Sequence, residues 1–153
     1  MHSSRLWFAG LGCRRGCSSA ELIILLRASC HEAGIEPSGL CGLATLDRRA
    51  REPALVELAQ GLGLSLQAWS AGSLAVFDDR LSHRSARVQA LYGIGGIAET
   101  TALAAAADHR IQAGQPTYLV VPRRASAAAT VAIAVREATT DTTFETQRGD
   151  TSR

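Results

Sequence analysis

A short apolar run, Leu6 to Gly10, ends in glycine, and eight residues further on a helix signal begins. Between them lies the turn Leu11-Gly12-Cys13-Arg14-Arg15-Gly16-Cys17. Ser18 and Glu21 then supply the S-x-x-E capping box of a helix reaching about Ala33, with Gly34 where it stops. A strand feeding a helix through a glycine turn is the building unit of α/β folds, and it needs further strands beside it to bury its apolar surface. The rest of the chain supplies them. A buried apolar run covers about Gly39 to Leu46, Asp47 to Glu52 is a charged turn, and Pro53 opens a helix whose stripe is Leu55, Val56, Leu58, Ala59 and Leu62. Leu64 to Trp69 reads as a third strand, and Ser70 caps a short helix to about Val76. After the polar stretch 78–84 comes a brief helix at 85–92. Gly93-Ile94-Gly95-Gly96 then leads into the alanine-rich helix Ile97 to Ala107. Two β-branched runs, 117–121 and 128–135, are joined by a tight loop at 122–126. The expectation is a single three-layer α/β domain over residues 1–137, with a mixed, mostly parallel sheet flanked by helices. From residue 138 to 153 the chain is polar, and that tail reads as disordered.

Bulk properties exclude several classes. The 153 residues suit one domain with a sizeable core. No apolar run approaches the roughly 18 residues of a membrane span, and the first residues lack a signal-peptide pattern, so a cytoplasmic protein without a membrane partner is expected. A net charge of +2 gives nucleic-acid binding no electrostatic support. The spacing of Cys13, Cys17, Cys30 and Cys41 matches no zinc pattern, so no metal site is expected, and Cys30 and Cys41 read as small buried hydrophobes. All 16 basic residues are arginine. Without lysine the chain can form no lysine Schiff base, while arginine holds carboxylates in a bidentate fork.

Chemistry concentrates in the two glycine turns. At the first, Gly12 and Gly16 allow close backbone approach, the helix start offers unpaired amides, and Arg14, Arg15, Ser18 and Ser19 add donors for an anion. Neither the dinucleotide fingerprint nor the P-loop pattern is complete there. The second turn, Gly93, Ile94, Gly95 and Gly96, repeats the arrangement, with Glu99 in the first turn of the following helix. Glu99 reads either as a helix-dipole partner or as a ligand or acid/base contact. Asp47, Arg48 and Arg49 end the second strand, where α/β sheets place active loops, and Arg123 and Arg124 form another loop pair; each also reads as a solvated turn. His2 is terminal, His31 and His109 sit near helix ends, and His83 reads as an uninvolved loop residue. Cys13 and Cys17 bracket the arginine turn, and Cys17 at a helix start is expected to have a lowered pKa.

Four blocks in order, Gly10-Leu-Gly-Cys-Arg-Arg-Gly16, Leu43-Ala-Thr-Leu-Asp47 with Glu52, Gly93 through Glu99 with Ala102-Leu103, and Thr130 through Ala134, resemble the CobE/CbiG C-terminal domain family of cobalamin (vitamin B12) biosynthesis. The resemblance covers about residues 6 to 135. It implies a cytoplasmic α/β protein that binds or carries a carboxylate-rich corrin or precorrin intermediate, with no other cofactor. The full-length family member of the anaerobic route opens a ring lactone and releases acetaldehyde. The stand-alone form implied here belongs to the aerobic route. Family lysines correspond to Arg49 and to Arg123 or Arg124 in this chain, which keeps charge pairing but supplies no neutral amine. On this reading the ligand-binding residues are Gly12, Cys13, Arg14, Arg15, Gly16, Cys17, Ser18, Asp47, Arg49, Gly93, Ile94, Gly95, Gly96, Glu99 and Arg123, with Trp69, Tyr92 or Ile94 against the ring face. Two other readings stand beside it. One is a tetrapyrrole hydrolase or lyase using Glu99 or Asp47 as acid/base. The other is an interaction module for other cobalamin-pathway enzymes.

Overall fold

Alternation in the first strand decides the architecture. In the computed structural model, which describes residues 2–107 and 116–140, β1 runs from His2 to Cys13. Side chains on a strand point to opposite faces in turn. Ala9 and Leu11 therefore enter one apolar cluster, while Phe8 enters the other. Both faces must be covered, and both are. On the first face lie α1 (Ser19–Ala33) and α2 (Pro53–Leu62), whose Leu22, Leu26, Leu55 and Leu58 meet Leu43, Val131 and Ile133 of the sheet. On the second lies α5 (Ala98–Ala106), whose Ala98, Ala102, Leu103 and Ala106 meet Phe8, Ala44, Ala132 and Ala134.

The sheet has five strands in the order β3-β2-β1-β5-β4. β2 (Leu40–Leu46) is parallel to β1, and β3 (Leu66–Trp69) is parallel to β2. β5 (Ala129–Thr140) runs antiparallel to both β1 and β4 (Thr117–Ala125). Parallel and antiparallel pairings are thus equal in number. The three-layer α/β domain expected above is what forms. β5 is longer than its apolar pattern and pairs Thr140 with His2 at the far end, so the first residues of the expected tail are strand. Residues 141–153 and His109 lie outside the described residues.

All nine residues of α5 are buried. The helix is enclosed because residues 70–97 wrap its outer side, where Leu74, Ile94 and Leu46 pack with Ala104, flanked by Phe77, Val88 and Tyr92. That cover holds α3 (Ala71–Leu74), capped by Ser70, and α4 (Ala86–Tyr92), capped by Ser85 and closed by Gly93. Alanine and threonine on α5 permit very close packing. A Cβ placed on Gly10 would lie 1.9 Å from the Ala98 carbonyl oxygen. Gly10 is therefore glycine for proximity, not for an unusual backbone angle. Among the described residues no helix is long and apolar enough to cross a membrane.

Candidate functional site

β1 ends at Gly12 and Cys13, and the 126–128 loop between β4 and β5 returns to the same end of the sheet. A cavity of about 340 Å³ opens there, between that end and the cover on α5. Open α/β sheets place ligands at this position, beyond the carboxyl ends of the parallel strands. The two glycine turns meet in it: Gly12, Cys13, Arg14 and Arg15 from the first, Gly95 and Gly96 from the second, with Glu99 between.

Three amides of these turns are taken within the chain and cannot join the anion cradle expected from the sequence. The Gly16 N–H donates to the Glu52 carboxylate at 3.1 Å, and Cys17 N donates to the Arg14 carbonyl. At the second turn, Gly95 N donates to Asp78 at 2.7 Å. Each turn carries an internal carboxylate in the position where an external anion was expected. Asp78 also pairs with Arg84 at 2.8 Å, and the Gly95 amide, followed by that guanidinium, holds its carboxyl below the usual range. Gly16 and Gly93 adopt left-handed angles, each with φ 81°, and shape the turns from outside the cavity.

Guanidinium groups carry the positive character instead. Arg14, Arg15, Arg87 and Arg123 line the cavity, and none pairs with a carboxylate among the described residues. Arg49 lines it too, but as part of the frame: its Nε and Nη2 donate to the Cys13 carbonyl at 3.1 and 2.8 Å, and Nη2 also reaches Glu52 at 3.1 Å. That fork ties the end of β1 to the turn after β2. Arg124 pairs outward with Glu32 at 2.8 Å, and Arg48 stacks over the Tyr92 ring.

Glu99 is 1% exposed, and its carboxylate is held by three donors. It accepts from Ser82 N at 2.7 Å, from the Ser82 hydroxyl, and from Arg123 N at 2.8 Å. It is thereby the bolt joining the cover to β4 across the start of α5. The Ser82 hydroxyl also meets His83 Nδ1 at 2.8 Å, and His83 lines the cavity, contrary to the expectation of an uninvolved loop residue. Glu21 behaves similarly. Ser18 caps α1 through Glu21 N at 3.1 Å, but the Glu21 carboxylate leaves the capping box for the Ser126 hydroxyl and Ala128 N. It thus holds the β4–β5 loop that floors the cavity.

Other sequence candidates lie elsewhere. Asp47 is exposed at the end of β2, outside the lining. Cys17, Ser18 and Ile94 are also outside it, Cys17 and Ile94 being buried in the apolar clusters, and Trp69 is a partly buried core contact. The expected lowering of the Cys17 pKa is overturned: burial, then Glu21, pushes it up. Burial pushes neighbouring Cys13 up to about 12, helped by Cys17 and Glu52. A helix start lowers a thiol pKa only where the thiolate keeps its hydration, and these thiols face the core. Cys30 is buried as expected, but Cys41 is exposed. Sequence reasoning missed Arg87 and the apolar wall of Leu81, Val88 and Leu91, because only the folded cover brings them to β1. No group of His, Cys, Asp and Glu among the described residues could hold a metal ion.

A covered, open mixed sheet with an arginine-lined cavity at the ends of its parallel strands defines the class: a small α/β protein with a cavity at the strand-end position. Comparison with known proteins is specific beyond that. Residues 7–134 match the family model described as cobalamin synthesis G C-terminus. The chain is 36% identical over 125 residues to Protein CobE of Sinorhizobium sp., covering 82% of this chain and 77% of that one. The crystal structure of CobE, a protein from the cobalamin (vitamin B12) biosynthetic pathway, superposes with a TM-score of 0.79 at 34% identity, covering 86% and 90% of the two chains. The cobalamin biosynthesis protein chiG from Agrobacterium tumefaciens gives 0.61 at 31% identity, covering 84% and 97%. The chain belongs to the cobalamin synthesis G C-terminus family and is a cobalamin biosynthesis protein.

Proposed function

We propose that this protein binds and carries a carboxylate-rich corrin or precorrin intermediate of the aerobic route. The observation that supports this most directly is the composition of the cavity wall. Four arginines without carboxylate partners among the described residues line one opening together with Leu81, Val88, Leu91 and Tyr92. Such a wall suits a ligand with an apolar face and ionised edges, and guanidinium forks match carboxylates geometrically. At about 340 Å³ the cavity cannot enclose a tetrapyrrole with all its side chains. The ligand would insert one edge and leave the opposite edge accessible, as delivery to another pathway enzyme requires. The hydrolase or lyase reading places acid/base chemistry on Glu99 or Asp47. Glu99 is committed to three donors and Asp47 lies outside, so neither favours it.

Visible-absorption titration with hydrogenobyrinic acid tests the proposal. Micromolar binding is expected that weakens as salt is added and falls about tenfold in Arg14→Ala/Arg15→Ala, the loss of two partly screened ion pairs. Absence of binding at high micromolar protein would overturn it. Turnover of a pathway intermediate that vanishes in Glu99→Gln would favour the enzyme instead.

A further inference from the structure

We propose that the segment 85–95 is a hinged jaw of the cavity and that Arg87 and Leu91, one turn apart on α4, are its ligand contacts. The inference rests on the reading of the cavity as the site for a carboxylated ring. No residue of α4 is buried, although the helix lies over the most enclosed part of the molecule. Its segment leaves and returns at one point, where Ser85 N donates to the Gly95 carbonyl at 2.8 Å. That neck is held by Asp78, through Gly95 N at 2.7 Å and Arg84 at 2.8 Å. Gly93, with φ 81° and open space around its Cβ position, lies inside the neck. A helix this short has no independent stability and follows its anchors.

Val88 and Tyr92 both line the cavity and pack onto the Leu74–Ile94 cluster, and Arg48 stacks on Tyr92. Arg87 and Leu91 occupy the neighbouring face and line the cavity, with Leu91 54% exposed. An exposed leucine beside an arginine with no carboxylate partner among the described residues presents the same pairing as the proposed ligand: apolar face, ionised edge. The opposite wall cannot approach it. Arg14 N is bonded to the Ala128 carbonyl, Gly16 N to Glu52, and the Cys13 carbonyl to Arg49. Any tightening around a ligand must come from α4, which then buries Leu91 and brings Arg87 to a carboxylate.

Hydrogen–deuterium exchange on the full chain, with and without hydrogenobyrinic acid, tests this beside the titration above. In the ligand-free protein, amides of 86–93 should exchange at least about tenfold faster than those of α5, as expected for a locally opening segment. Asp78→Asn should accelerate them further without changing α5. Saturating ligand should slow 86–93 while leaving α1 unchanged, and Leu91→Ala should weaken binding about fivefold, through faster dissociation. If ligand binds but neither 86–93 nor Leu91→Ala responds, the jaw is wrong and the carrier reading stands. If no ligand binds, the carrier reading fails and Arg87 and Leu91 lose their role with it. Protection of 86–93 equal to that of α5 in the ligand-free protein removes the hinge whatever the titration gives.

Discussion

Gly10→Ala adds one methyl group at the glycine with the least room for a Cβ among the described residues. Its Cβ would sit 1.9 Å from the Ala98 carbonyl oxygen, 2.5 Å from Ala102 N and 2.6 Å from Thr101 Oγ1. Ordinary contact begins near 3.4 Å, so α5 has to retreat by roughly 1.5 Å. Two of the three clashing atoms are backbone, so no rotamer change relieves them. Every residue of α5 is also buried, with Leu74 and Ile94 packed on Ala104 from the outer side, which opposes the retreat. Overpacking a core costs about 1–3 kcal/mol when side chains can adjust, and a backbone clash belongs at the upper end, about 3 kcal/mol. Guanidinium unfolding followed by far-UV circular dichroism should show a lower midpoint at unchanged slope, and Tm should fall by about 10 °C. Gly61→Ala is the control. Gly61 lies inside α2 with nothing near its Cβ position, so the same methyl group should add about 0.5–1 kcal/mol there. A loss below about 1 kcal/mol in Gly10→Ala would refute the argument that direct contact between β1 and α5 sets the spacing of the domain.

Arg49→Lys should lower unfolding free energy by about 1–2 kcal/mol, because a single ammonium cannot reproduce the fork on the Cys13 carbonyl and Glu52; chemical denaturation measures it. Ellman's reagent should titrate one thiol in the native protein, Cys41, and the buried Cys13, Cys17 and Cys30 only on unfolding. Because the fold favours the neutral Cys13 thiol, its contribution is complete below about pH 9 and is lost as pH rises toward about 12, so Cys13→Ala should flatten the alkaline fall in Tm. Glu21 has the opposite sign: the Ser126 hydroxyl and Ala128 N hold its carboxyl below the ordinary 4.5, so its contribution is present above that pH and lost below it. Glu21→Gln should therefore flatten the acid limb of the same Tm profile.

Local pattern carried the architecture a long way. Gly12 to Glu21 reads as strand, turn and capped helix because each signal spans only a few residues, and the helix ends at Gly34 as its position implies. The cavity was half legible. Both glycine turns and Arg14, Arg15, Glu99 and Arg123 do meet in it. Their chemistry was misjudged where a partner lies far along the chain. Glu52, 36 residues from Gly16, and Asp78, 17 from Gly95, take the amides that spacing alone leaves open. Arg87, His83 and Leu91 could not be assigned to the site, since a polar stretch and a short helix carry no mark of the sheet end on which they settle. The thiol of Cys17 shows a local rule losing to burial, which only the packed core reveals.

The enclosure of α5 has a consequence for how such a molecule can change. All nine of its positions are buried and most meet packed atoms, so side-chain size there is constrained by its surroundings. A lineage adapting to a bulkier or differently charged ligand would have to edit the surface-lying α4 and the 126–128 loop. Divergence in ligand preference should therefore gather in those two stretches while the central helix keeps its alanines.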